Sequence, residues 1–111
     1  MHLLALYMTL VIAQTSKVSW YSNDYCLKHN PACITASGEK FDDTKYTAAC
    51  SSKYKIGDRL LIKYGKNEVV VKCNDRGGFG KYGRELDLSK SAFEKLAPLT
   101  KGVLNVYINK L

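Results

Sequence analysis

Histidine is nearly missing from this chain of 111 residues: only His2 and His29 occur. His29 lies between Lys28 and Asn30, with Pro31 next, so a Ser/His/Asp nucleophile finds no well-placed base. No C-x-x-C pair occurs, and a zinc site lacks its usual spacing. The chain has no internal repeat, no low-complexity run and no linker. No apolar run approaches the roughly 20 residues of a membrane-spanning helix. Acidic side chains are scarce, 10 against 17 Lys and Arg, which leaves a net charge of +7. Such a balance favours a polyanionic partner, although solubility alone also accounts for it.

What is present fits one domain. The first 13 residues, MHLLALYMTLVIA, carry no Lys, Arg, Asp or Glu and end in Val11-Ile12-Ala13. This reads as a secretory signal peptide cleaved after Ala13, leaving a domain over 14–111. A buried N-terminal helix or strand is the other reading. Export makes nucleic acid a poor partner; a bacterial cell wall or another acidic polysaccharide fits better. Cys26, Cys33, Cys50 and Cys73 all follow the leader. An even count in a small exported chain argues for two disulfides. Three pairings exist. Cys26–Cys33, closing a short loop, and Cys50–Cys73, joining two strands, is the favoured one.

Short strands are expected at 18–21, 60–64, 68–73 and 103–108, with a short apolar piece at 46–49. Residues 65–67 make the 60–73 region a hairpin. Residues 23–36 are polar, hold Pro31 and two cysteines, and read as a stapled loop. Ser89 is a good N-cap for a helix over 90–96, with Leu88 and Phe93 as a hydrophobic staple and Pro98 as the stop. Many short strands and one short helix indicate an all-β chain closed into a small barrel.

The run VVVKCNDRGGF (69–79) concentrates the chemistry. An apolar strand leads into Asp75, Arg76 and two glycines, and strand ends are where rigid scaffolds place reactive groups. A partly desolvated carboxyl there is suited to general acid work. Asp75 as a turn cap is the structural reading. Glu39, in TASGEKFD (35–42), is a second acid or simply a solvated one. Asp87, just before the helix, reads as structural. Arg76 and Arg84 can bind ligand carboxylates or pair with Asp42, Asp43 or Glu85. Trp20, Tyr21, Tyr25, Phe79 and Tyr82 can stack on sugar rings, or serve as half-buried packing groups.

In order along the chain come Ser19-Trp20-Tyr21, TASGEKFD, Thr47-Ala48-Ala49, Gly57-Asp58-Arg59-Leu60 and Val69-Val70-Val71. Asn74-Asp75-Arg76-Gly77 and Leu86-Asp87-Leu88-Ser89 with Ala92 complete the set. Each piece is weak, but the ordered set, covering nearly all of 14–111, resembles the rare lipoprotein A (RlpA) family. That resemblance implies a six-stranded double-psi β-barrel with one short helix, acting on peptidoglycan glycan strands. Members of that family are lytic transglycosylases that prefer strands stripped of stem peptides and leave 1,6-anhydromuramic ends. The family's Asp falls on Asp75, the expected general acid/base, and its Glu on Glu39, the supporting carboxylate. Arg76 is the expected orienting group, and Trp20, Tyr21 and Phe79 the groove-lining aromatics. No metal or cofactor is implied.

The chain departs from the family where Cys50 replaces a His after Thr-Ala-Ala and Gly78 replaces a Pro. The first change is expected to lower activity or move the work elsewhere, the second to loosen the loop. A lipobox Cys and a C-terminal glycan-binding repeat are missing. The expectation is a free, secreted or periplasmic monomer, not inserted in a membrane after processing. Expansin-like and barwin-like proteins share this barrel and can bind or loosen polysaccharide without cutting it. Glu39 with Asp75 favours the enzyme, Cys50 the binder. A secreted effector acting on a host partner is a third reading, for which no motif speaks.

Overall fold

The computed structural model describes residues 14–77 and 84–111. The expected leader, Gly78, Phe79 and Tyr82 lie outside them. Six strands form a closed barrel in the order β1-β5-β2-β4-β3-β6. They are β1 (Ser16–Tyr21), β2 (Thr47–Cys50), β3 (Arg59–Tyr64), β4 (Asn67–Arg76), β5 (Arg84–Ser89) and β6 (Leu104–Lys110). β1 with β5 and β2 with β4 run parallel; the other four pairs are antiparallel. Closure gives every strand a paired neighbour on both sides.

Alternation along each strand sorts the side chains. Val18, Leu60, Ile62, Val71, Leu86, Leu88 and Val106 point inward and are almost fully buried. The β3–β4 hairpin turns on Gly65-Lys66 alone, because Tyr64 pairs with Asn67. Gly65 has φ +58°, the sign that the first central position of a II′ turn requires. The helix α2 (Lys90–Glu94) follows β5 directly. Ser89 caps it, its hydroxyl accepting from the Ala92 N–H at 3.4 Å. Leu88 and Phe93, on either side of the cap, are both fully buried in the barrel core. Each such side chain contributes about 1.5–3 kcal/mol by leaving water.

The segment 23–36 is not all loop. It opens with a second helix, α1 (Asn23–His29), capped by the Ser22 hydroxyl. None of its residues is buried. Disulfides join Cys26 to Cys33 and Cys50 to Cys73. The first ties α1 to the loop behind it; the second bridges β2 and β4 inside the barrel. Among the described residues, no helix is long and apolar enough to cross a membrane.

Candidate active site

Asp75 does not follow the end of a strand; it lies within β4, one residue from its terminus. Val69, Val71 and Cys73 face inward, so strict alternation turns residue 75 inward as well. The ladder to β2 prevents this. Ala48 pairs with Cys73 but Ala49 pairs with Asp75, and Asn74 is the extra residue of a bulge. The bulge reverses the alternation and aims Asp75 at the outer face. Ala49 is also the partner of Asp87 on β5, which in turn pairs with Ser19 on β1. Ser19, Asp87, Ala49 and Asp75 thus form one row across four strands. Two ladder steps of about 4.8 Å put the two aspartates roughly 10 Å apart at the backbone. Ala49 between them leaves the floor open.

The TASGE segment has one evident local task. Thr35 N–H donates to the Glu39 carbonyl at 2.7 Å and Gly38 N–H to the Thr35 carbonyl at 2.9 Å, closing a tight turn. Gly38 permits it with φ +91°. The turn is docked by Ser37 N–H on the Asn74 carbonyl, at 3.0 Å. It then presents the Ala36 N–H to Asp75 Oδ1, also at 3.0 Å. The Arg76 N–H donates to the same oxygen at 2.9 Å. Oδ1 is therefore pinned by two backbone donors, while Oδ2, among the described residues, meets the Tyr21 hydroxyl at 3.4 Å.

Tyr21 stacks on Phe41, ring centroids 4.2 Å apart. With Ala49, Cys33 and Cys26 they form a small second core under α1. Burial, then the charges of Asp75 and Asp87, push the Tyr21 hydroxyl well above its ordinary pKa. It remains a donor at any physiological pH. Ser19 Oγ donates to Asp87 Oδ1 at 2.7 Å and accepts from Arg84 Nη1 at 2.9 Å. Burial raises the Asp87 pKa above the usual 3.8, against the lowering pull of Ser19 and Arg84. These groups open onto a cavity of about 570 Å³. That is within the range of roughly 300–1,000 Å³ usual for ligand sites.

Of the residues expected in the site, Tyr21 and Asp75 meet at its centre. Trp20 contributes to the wall, yet its ring packs on Phe93 and its Nε1 donates to the Leu99 carbonyl. Arg76 also lines the cavity, while its Nη1 donates to the carbonyls of Ser51 and Tyr54 at 2.7 and 2.6 Å. Glu39 is not part of the wall. Its carboxylate accepts from the Ser37 hydroxyl at 2.9 Å and lies 3.7 Å from Lys72. Ser37 first, then Lys72, hold its carboxyl below the ordinary range, and it lies beside the turn, outside the cavity. Phe79 falls outside the described residues. Cys50 does not line the cavity; it is buried in the barrel on Cys73.

Asp87 is the site group that sequence reasoning placed elsewhere. The cap of α2 is Ser89, and Asp87 faces the cavity. Its signal was the alternation Leu86-Asp87-Leu88: two buried leucines force the acid between them onto the other face of the sheet. A raised carboxyl destabilises the fold once it ionises. Its contribution is fully present below about 3.8 and is lost as pH rises through the raised value. Asp87→Asn removes this loss. The melting temperature of the variant is expected to exceed that of the wild type at pH 7, and the gap to vanish near pH 3. Thermal melts across pH check this; a variant less stable at pH 7 refutes the burial account.

A family model described as lytic transglycolase matches residues 13–108. The chain belongs to the RlpA-like double-psi β-barrel family. It is 34% identical over 101 residues to the endolytic peptidoglycan transglycosylase RlpA of Neisseria meningitidis serogroup A, covering 88% of this chain and 39% of that protein. To the probable endolytic peptidoglycan transglycosylase RlpA of Treponema pallidum it is 41% identical over 78 residues, 68% of this chain and 24% of that one. The chain thus spans less than two fifths of the length of these RlpA relatives. Among solved structures, the Streptomyces papain inhibitor superposes with a TM-score of 0.70 at 20% identity, covering 90% of this chain and 94% of the inhibitor. The apo expansin of Clavibacter michiganensis gives 0.68 at 21%, over 90% of this chain and 50% of the expansin. These two likenesses show the shared barrel fold and nothing of its chemistry.

Proposed function

We propose that this chain is a lytic transglycosylase that acts outside the cytoplasm on peptidoglycan glycan strands, with a preference for strands lacking stem peptides. The observation that carries the reading is the row of Asp75 and Asp87 flanking Ala49, with the Tyr21 hydroxyl on Asp75. The names of the RlpA relatives support it. In this reading Asp75 is the general acid/base, and Oδ2 is the working oxygen because Oδ1 is held by Ala36 and Arg76. Protonated Oδ2 gives its proton to the glycosidic oxygen, and the bond from that oxygen to the muramic anomeric carbon breaks. The muramic C6 hydroxyl then bonds to that carbon and returns its proton to Oδ2, closing a 1,6-anhydro ring without consuming water. Asp87, whose carboxyl burial raises above its ordinary value, is the second acid of the site, across Ala49 from Asp75. Glu39 supports from outside the wall through Ser37 and the turn that delivers Ala36. Export, removal of 1–13 and a monomeric state belong to the same reading.

Digestion of stem-peptide-free strands with the purified protein, read by mass spectrometry, tests it. Anhydro ends, lighter by one water than hydrolytic ends, are the expected product. Hydrolytic ends point to an ordinary glycosidase. The second reading, binding without cleavage, draws on Cys50 in place of the family His. It predicts co-sedimentation with glycan and no new ends at all.

A further inference from the structure

We propose that Tyr25 and His29 of α1 form a sugar-binding platform at one side of the cavity. It takes a pyranose ring of the glycan strand lying beyond the two sugars that straddle the scissile bond. This rests on the glycan-strand reading above and adds a binding position to it. A helix ordinarily turns one face into a core. α1 has no fully buried residue and packs on a core through Cys26, yet carries Tyr25 at 54% exposure. Tyr25 and His29 line the same cavity as Asp75 and Asp87. Their rings stack with centroids 4.2 Å apart and 26° between planes, so each ring backs the other and keeps one outer face. His29 Nδ1 lies 2.9 Å from the Tyr25 carbonyl. A carbonyl only accepts, so Nδ1 carries the proton there and Nε2 is left for another partner. Pyranose rings offer the complement: flat C–H faces with hydroxyls at the rim.

The platform is held still. The Asn23 N–H donates to Asp43 Oδ2 at 2.9 Å and the Asp43 N–H to Asn23 Oδ1 at 3.0 Å. The Cys26–Cys33 bridge fixes the middle of the helix. Aromatic groups already ordered lose little freedom when a ligand arrives, which is what a binding surface needs and a solvated surface helix does not.

The test uses Asp75→Asn protein, so that strands are bound but not cut. Affinity for long stem-peptide-free strands is measured by titration calorimetry, with Tyr25→Ala, His29→Ala or Leu27→Ala added. Leu27 sits on α1, 51% exposed, but does not line the cavity. Tyr25→Ala is expected to weaken binding about fivefold, the value of one aromatic contact. His29→Ala should follow it, and Leu27→Ala should match the Asp75→Asn parent. Equal affinity across all four proteins overturns the platform and leaves the glycan-strand reading standing. Loss with Leu27→Ala equal to that with Tyr25→Ala also overturns it, since the effect then belongs to the helix and not to the rings. No binding by the Asp75→Asn parent overturns both.

Discussion

Asp75→Asn is expected to fold as the wild type does and to lose cleavage by a factor of about 10²–10⁴. The hydrogen-bond pattern around the residue explains why the fold survives. An Asn Oδ1 still accepts from the Ala36 and Arg76 N–H groups, which approach the wild-type oxygen at 3.0 and 2.9 Å. Its amide nitrogen then takes the place of Oδ2 and can donate to the Tyr21 oxygen. What disappears is a group that can release and recover a proton. Asp75→Ala is different: it strips two backbone donors of their partner and loosens the 35–39 turn, so stability falls by about 1–3 kcal/mol as well. Product analysis beside a thermal melt separates the two variants. An Asp75→Asn protein that cleaves normally removes Asp75 from the chemistry. One that fails to fold makes it a structural hub instead.

Removing the Cys50–Cys73 bridge is expected to cost about 3 kcal/mol, from the entropy of a closed loop with a sequence separation of 23. Small domains have about 5–15 kcal/mol in total, so this is a large share. A drop of roughly 15 °C in the melting temperature of a double Ala variant is the expected reading. The bridge joins β2 to β4 next to the bulge that turns Asp75 outward, so activity should fall before the protein unfolds. Loss of Cys26–Cys33, with a separation of 7, is expected to cost about 2 kcal/mol and to act on α1. Calorimetry of the two double variants decides. Equal, small shifts refute the loop argument. The same geometry bears on the Cys50 substitution. Restoring His at 50 leaves Cys73 unpaired in the core, so it is a test of stability as much as of activity.

Strands with clean alternation were legible in the sequence, as was the Ser89 cap with Leu88 and Phe93 beside it, because those signals are local. The ordered motifs pointed to the barrel. Three features were hidden, each for a physical reason. α1 has no apolar stripe because it packs on a core through Cys26 and has no fully buried residue; a cap, two Asn23–Asp43 bonds and a disulfide hold it, and none of these has a period. β4 runs on to Arg76 because a bulge at Asn74 resets its phase, and a bulge is a property of pairing with β2. Asp87 looks like a helix-leading acid until β1 is laid in parallel beside β5 and supplies Ser19. Those partners lie 68 residues apart, beyond any window of the sequence.

The four-strand row depends on a strand outside it. Its members come from β1, β5, β2 and β4, and β6, which pairs with both β1 and β3, closes the ring around them. No residue of β6 lines the cavity among the described residues. Yet without β6 nothing holds β1 and β3 in one ring. A substitution on β6 that weakens its pairing with β1 or β3 is therefore expected to disturb the spacing of Asp75 and Asp87 from a distance, without touching either residue.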